Sequence, residues 1–199
     1  MDKVEKLQKL NLEWLAKNTC ALREEATQGV PGDGSAIARV LFIGEAPGAQ
    51  EDREGRPFVG ASGKFLEEML GSIKMKREDV YITNVVKYRP PGNRDPLPEE
   101  IASCFQWLEE EIRLIDPELI VFLGRHSMNQ FFPDAKISEV HGKLLMANKF
   151  GKRRYFIPLY HPAAALYNGS LRETLKKDFK QIPRALTMVT TINKCERPL

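Results

Sequence analysis

Four short runs rich in apolar, β-branched and aromatic residues punctuate the chain: RVLFIG ending at Gly44, DVYITNVV ending at Val86, ELIVFLG ending at Gly124 and RRYFIPLYHP ending at Pro162. Each is bounded by glycine, proline or charge, the pattern of a buried strand. Between the first three the period changes to that of a helix. Phe65, Leu66, Met69, Leu70 and Ile73 share one stripe of GKFLEEMLGSI, and Ile101, Phe105, Leu108, Ile112 and Ile115 share one of PEEIASCFQWLEEEIRLI. Pro98 followed by Glu99 and Glu100 suits a helix start, where the missing proline donor costs nothing and acids favour the helix dipole. Strands alternating with helices predict parallel pairing through right-handed crossovers. The expected fold is therefore α/β in three layers, a four-stranded, mainly parallel sheet flanked by helices.

The remaining segments fit around that frame. Residues 2–17 read as a charged amphipathic helix, GKLLMANKFGKRRYFIPL as a hairpin turning near Lys149 to Lys152, and SLRETLKKDFKQI as a closing helix with Leu171, Leu175, Phe179 and Ile182 on its apolar side. After Pro183 the pattern fades, so the tail is expected to be peripheral and frayed. One domain over 1–199 accommodates these elements, at a length that buries a core without staples.

Composition narrows the class rather than the fold. With 42% hydrophobic and 29% charged residues, and no apolar run near the ~18 residues of a membrane span, the chain reads as a soluble protein with no membrane partner. No continuous apolar region follows the N-terminal lysines, so a place inside the cell is expected. The net charge of +3 is mildly basic. Lys87, Arg89 and Arg94 crowd one stretch and Lys149, Lys152, Arg153 and Arg154 another, either as solvated faces or as a seat for a polyanion. Cys20, Cys104 and Cys195 are too few and too scattered for a disulfide framework, and no CxxC pair is present.

In an open parallel sheet, ligands bind at the carboxyl ends of the strands. Here the first strand exits into GEAPGAQED, the second carries Thr83 and Asn84 and exits into KYRPPGNRDP, the third exits into GRHS and the fourth into HPAAAL. Singly, Asn84 serves a backbone group or a ligand, and His161 a turn or a ligand. Their convergence on one sheet edge favours a pocket. It would offer an amide, an imidazole, carboxylates and an aromatic ring, a set suited to a leaving group that departs as an anion held by hydrogen bonds. GEAPGAQ is not GxGxxG and no Walker pattern occurs, which argues against a dinucleotide or nucleoside triphosphate site.

GEAPGAQEDREGRPFVGASG, TNVVKYRPPGNRDPLPEE and HPAAAL resemble, in order and in spacing, the three signature segments of the family four uracil-DNA glycosylases, and the resemblance runs from about Cys20 to Ile182. It implies a monofunctional enzyme that hydrolyses the glycosidic bond of deoxyuridine in single- or double-stranded DNA and leaves an abasic site for base excision repair. It also implies a monomer in the cytoplasm, associated with the nucleoid. By the same resemblance Phe58 stacks on the flipped base, and the Asn84 carboxamide accepts from uracil N3 and donates to O4, a pattern that cytosine inverts. His161 donates to O2, where charge collects as the bond breaks. Ala46 and Gly48 belong to the loop bordering the base. Glu45 and Glu51 share the water chemistry or the stabilisation of an oxocarbenium-like sugar, with Asn93 as an orienting partner; better-known uracil glycosylases carry an aspartate where Ala46 stands. Arg89, Arg94, Arg153 and Arg154 are expected to meet phosphates, and Pro162, Ala163 and Leu166 to form a wedge that fills the gap left by the base.

The chain departs from this family at its cofactor. Most members hold a four-iron, four-sulfur cluster on four cysteines, of which Cys20 and Cys104 match the second and fourth, while Lys17 and Tyr88 stand at the first and third. Two thiolates do not satisfy four irons, so no metal or cofactor is expected and the two cysteines are read as remnants. Positions 84 to 100 contain no histidine of the kind that traps the base covalently in one relative, so turnover is expected. Two competing readings are a non-catalytic uracil sensor and a glycosylase shifted to another base such as hypoxanthine.

Overall fold

The computed structural model describes residues 1–195; residues 196–199, the end of the tail expected to be peripheral, lie outside them. The chain opens with α1 (Lys3–Lys17). Asp2 caps it: its carboxylate accepts from Glu5 N at 2.8 Å while Glu5 Oε2 accepts from Asp2 N at 3.0 Å, satisfying two donors that the first turn leaves free. The strands that follow are β1 (Asp33–Gly34), β2 (Val40–Gly44), β3 (Tyr81–Asn84), β4 (Leu119–Leu123), β5 (Leu145–Lys149) and β6 (Lys152–Leu159). Among the described residues they form one six-stranded sheet in the order β1-β3-β2-β4-β6-β5. The four central strands are mutually parallel, as the alternation of strands and helices predicts. Antiparallel edges, the two-residue β1 and the hairpin strand β5, raise the expected four strands to six. β1 is too short to carry a period, and β5 is exposed at every second residue, so neither shows as an apolar run.

Side-chain alternation within each strand builds two cores. Val40 and Phe42 of β2 join the core beneath α3 (Ala61–Ser72), α7 (Pro162–Tyr167), α8 (Gly169–Phe179) and α9 (Gln181–Cys195), whereas Leu41 and Ile43 join the one beneath α1 and α4 (Pro98–Ile115). Each fully buried Leu, Ile or Phe contributes about 1.5–3 kcal/mol relative to exposure. The short helices α2 (Ala49–Glu54), α5 (Arg125–Asn129) and α6 (Ile137–Val140) lie in the connections.

The tail corrects an expectation. Residues 181–195 form a helix, and Ile182, Ala185, Leu186 and Val189 are buried against the sheet. Their spacing of three and four is a helical stripe. Pro183 does not break it, because it stands in the first turn, where a backbone N–H has no intrahelical acceptor.

Thr83 and Lys87 also differ from expectation. Both face away from the carboxyl-edge pocket and meet Glu111 of α4: Thr83 Oγ1 donates to Glu111 Oε2 at 3.0 Å, and Lys87 Nζ donates to the same oxygen at 2.5 Å. Tyr81 Oη donates to Glu111 Oε1 at 3.1 Å. The Lys87–Glu111 pair is fully enclosed, so Lys87 is no part of a basic surface. Removing one partner of such a pair costs about 3–5 kcal/mol, which makes this network a structural tie between β3 and α4.

Candidate active site

At the carboxyl edge of the sheet the loops after β2, β3 and β6 enclose a cleft of about 320 Å³, lined by Glu45, Ala46, Gly48, Glu51, Phe58, Asn84, Asn93, Arg94, His161 and Ala163 together with Pro47, Ser62, Pro90 and Asp95. Glu45 follows the last residue of β2, Asn84 ends β3, and His161 follows β6 by two residues. Ten of the residues named from sequence are thus brought together by three strand ends.

The floor of the cleft depends on Gly44. A methyl group there would lie 2.3 Å from Asn84 Oδ1 and 2.7 Å from the Phe58 ring, so amide and ring both press against a bare Cα. Asn84 is buried and its Oδ1 has no hydrogen-bond partner among the described residues. An enclosed acceptor left in this state costs about 1–3 kcal/mol. Phe58 is buried, and its ring lies 5.7 Å from that of His161, tilted by 33°.

His161 caps the first turn of α7, its Nδ1 accepting from Ala163 N at 3.1 Å. With that nitrogen an acceptor, the ring proton resides on Nε2. Burial pushes its pKa down to about 4, outweighing the attraction of Glu51 for the charged form. Near neutral pH the side chain is an uncharged donor.

The two glutamates have separate situations. Glu51 Oε1 accepts from Val59 N and Gly60 N, each at 2.9 Å, and Oε2 accepts from Gly48 N at 3.1 Å. Three backbone donors commit this carboxylate to closing the loop between α2 and α3. The neighbouring Asp52 is buried and pins α2 from below by accepting from Thr27 N at 2.9 Å and Thr27 Oγ1 at 2.7 Å. Glu45 is not engaged in this way. Burial raises its pKa to about 7, the Asp95 carboxylate adds to the rise, and Arg125 opposes it.

His126 stands between the two acids, with Nδ1 3.7 Å from Glu45 Oε1 and Nε2 3.5 Å from Asp95 Oδ2. One donor atom from each of the three lies within 4.8 Å of the others. Asp95 is exposed, however, and Arg125 Nε donates to His126 Nε2 at 3.1 Å, so that nitrogen faces a donor and Nδ1 is the ring nitrogen turned to Glu45. Sequence reasoning did not assign Asp95 or His126. Both lie in strand-end loops that it singled out, GNRDP and GRHS, and only the fold shows that these two loops meet beside Glu45.

The expected DNA contacts divide into two groups. Arg89 Nε donates to Asn93 Oδ1 at 2.8 Å on the rim, and Leu166, on α7 beside Ala163, is exposed. Pro162 is buried in the first turn of α7. Arg94 lines the cleft, but its guanidinium is held by Glu100 through bonds of 2.9 and 2.6 Å. Arg153 and Arg154 are not brought to the cleft: they begin β6, a parallel strand whose other end carries His161, and Arg154 is buried, with Nη1 donating to Asp116 Oδ1 at 3.3 Å. Sequence proximity of basic residues hid the length of the strand between them and the pocket.

The four positions of the cluster pattern do not form a ligand set. Lys17 is exposed and pairs with Glu13 at 3.7 Å. Tyr88 is buried with its ring edge-on to Trp14 at 5.7 Å, filling the space beside the cysteines. Cys20 and Cys104 are buried in one cluster; Cys20 Sγ donates to Glu100 O at 3.8 Å, and Asn18 Nδ2 approaches Cys104 Sγ at 3.9 Å. Cys195 ends α9, which packs on the opposite face of the sheet from Cys20 and Cys104. These residues fit a packed thiol pair rather than four irons.

Comparison with known proteins agrees with the cleft. Residues 31–186 match the model of the "Uracil DNA glycosylase superfamily". The chain is 46% identical over 184 residues to a Type-4 uracil-DNA glycosylase of Archaeoglobus fulgidus, covering 90% of this chain and 92% of the relative. Two further Type-4 uracil-DNA glycosylases, of Sulfurisphaera tokodaii and Saccharolobus solfataricus, are 45% and 44% identical over 90% and 94% of this chain, and each is covered over 84% of its length. The chain belongs to the uracil-DNA glycosylase superfamily.

Proposed function

We propose that this chain is a uracil-DNA glycosylase that hydrolyses the N-glycosidic bond of deoxyuridine in DNA, releasing uracil and leaving an abasic site. The observation that carries the reading is Asn84 Oδ1, a buried acceptor without a partner among the described residues, beside the Phe58 ring at the back of the cleft. Uracil N3 carries a hydrogen and satisfies such an acceptor; cytosine N3 carries a lone pair and does not.

In the mechanism that follows, the base leaves the stack and lies against Phe58 with its N3–H on Asn84 Oδ1 and its O4 toward the amide nitrogen. As the bond from N1 to C1′ breaks, its electron pair passes into the ring and charge grows on O2. The Nε2–H of neutral His161 meets that charge, a contact worth about 3 kcal/mol because it strengthens in the transition state. A water gives its proton to Glu45 and its hydroxyl to C1′; the uracil anion takes up a proton on N1 from solvent, and Glu45 returns its own to solvent. Glu51 contributes by shaping the loop that carries Phe58, since its oxygens already accept three amides. Arg89, bonded to the cleft residue Asn93, is suited to a phosphate, and the exposed Leu166 of α7 to the gap left by the base. The reading includes a monomer without an iron–sulfur cluster, acting on nucleoid DNA.

Incubation of the purified protein with uracil, hypoxanthine and thymine-mismatch duplexes, followed by alkaline cleavage of abasic sites, tests it. Strand breaks confined to uracil duplexes are expected. Binding of uracil DNA without breaks would instead make the chain a sensor, and breaks at hypoxanthine alone would shift its base preference.

A further inference from the structure

Phe58 has a φ of 52°, a left-handed backbone that a bulky side chain adopts only where its surroundings enforce it. The enforcement comes from both sides of the loop. On one side Glu51 takes the amides of Val59 and Gly60. On the other, Arg77 Nη1 donates to Phe58 O at 2.9 Å, and Nη2 of the same guanidinium donates to Pro57 O. Arg77 Nε donates in turn to Asp33 Oδ2 at 3.1 Å, and Arg56 donates to that oxygen at 3.0 Å. Burial would raise the Asp33 carboxyl, but Arg56 and Arg77 outweigh it and hold the group below its ordinary value, hence ionised. Asp33 belongs to β1 and pairs with Ile82 of β3, the strand that ends in Asn84. Gly63 completes the seat, since a methyl there would lie 1.9 Å from Phe58 O.

We propose that Arg77 is a positioning residue for the base pocket: its planar guanidinium grips the carbonyls of Pro57 and Phe58, holds the left-handed turn, and so aims the Phe58 ring at the flipped base, while Asp33 orients Arg77 from β1. This rests on the reading of Phe58 as the stacking surface. Neither Arg77 nor Asp33 lines the cleft, so any effect on turnover must pass through the loop. Two adjacent carbonyls and a carboxylate match the forked donors of arginine; a lysine ammonium is a single point that serves one carbonyl well. The remaining charge near the fork, Glu67, is exposed and 3.7 Å from Nη1.

A double-mutant cycle tests the coupling. Single-turnover rate, KM, DNA affinity and melting temperature are measured for the parent, Arg77→Met, Arg77→Lys, Phe58→Ala and the Phe58→Ala/Arg77→Met pair on uracil duplex. Arg77→Met is expected to lower the single-turnover rate about tenfold or more with DNA affinity nearly unchanged, and Arg77→Lys to lie between it and the parent. In the Phe58→Ala background the same change should cost less than about threefold, because no ring remains to be aimed. Should Arg77→Met not fold, Asp33→Asn replaces it in the cycle with the same non-additivity expected. Losses that multiply, or a lowered melting temperature with an intact rate, overturn the proposal. A parent protein that releases no uracil at all overturns instead the functional reading on which it rests.

Discussion

His161 Nδ1 accepts the backbone N–H of Ala163 at 3.1 Å, and this contact decides which edge of the imidazole can do chemistry. Nε2 is left holding the hydrogen, and burial keeps the ring neutral by lowering its pKa to about 4. A neutral donor loses little on meeting the uncharged carbonyl of bound uracil and gains as that oxygen becomes anionic. His161→Ala should therefore lower the single-turnover rate by ~10² or more while leaving affinity for uracil DNA nearly unchanged. A loss confined to binding contradicts the role.

Glu45 can accept a proton from water only when ionised. Burial first, then Asp95, raises its pKa to about 7 against the pull of Arg125, and His126 faces it from α5 at 3.7 Å. Because the raised pKa keeps the proton on at lower pH, the ionised form is gained as pH rises through about 7. The single-turnover rate should climb about tenfold per pH unit below that point and level off above it. Asp95→Asn removes a repelling charge and should move the inflection to lower pH; Glu45→Gln should abolish it. His161 titrates near 4, outside this window. A flat profile between about pH 5.5 and 8.5 would remove Glu45 from proton transfer.

The legible part of the molecule was the part written in apolar runs and periods. The four parallel strands follow from continuous apolar runs bounded by glycine, proline or charge, the helices between them from residues that recur every three to four positions, and Asn84 and His161 were found because the fold class sends strand ends to one edge. What stayed hidden depends on distance in space between segments remote in sequence. Thr83 and Asn84 are neighbours that face opposite sides of the sheet, so only the pairing with Glu111 separates a structural hydroxyl from a pocket amide. Arg154 sits seven residues before His161 in the chain, yet the intervening strand carries it to the other end of the sheet. Arg77 and Asp33 carry no motif at all; their meaning comes from the carbonyls of a loop 19 residues before Arg77.

At the cluster positions, Lys17 turns to solvent and Tyr88 packs on Trp14, so a colourless protein is expected. Iron should be well below one atom per chain, visible charge-transfer absorption absent, and uracil release unchanged after chelator treatment, because each missing thiolate leaves one iron without its protein ligand. A brown protein carrying about four irons after anaerobic preparation would show another side chain completing the set.

Base reading by Asn84 is tested by exchanging its amide for a carboxyl. Asn84→Asp keeps size and position on β3 but replaces an NH₂ donor with an oxygen able to meet the amino group of cytosine. Single-turnover assays of parent and variant on otherwise identical uracil and cytosine duplexes are predicted to show uracil release falling by about tenfold or more, with cytosine release appearing only in the variant. Unaltered uracil release together with no cytosine release would contradict the claim and take Asn84 out of base recognition.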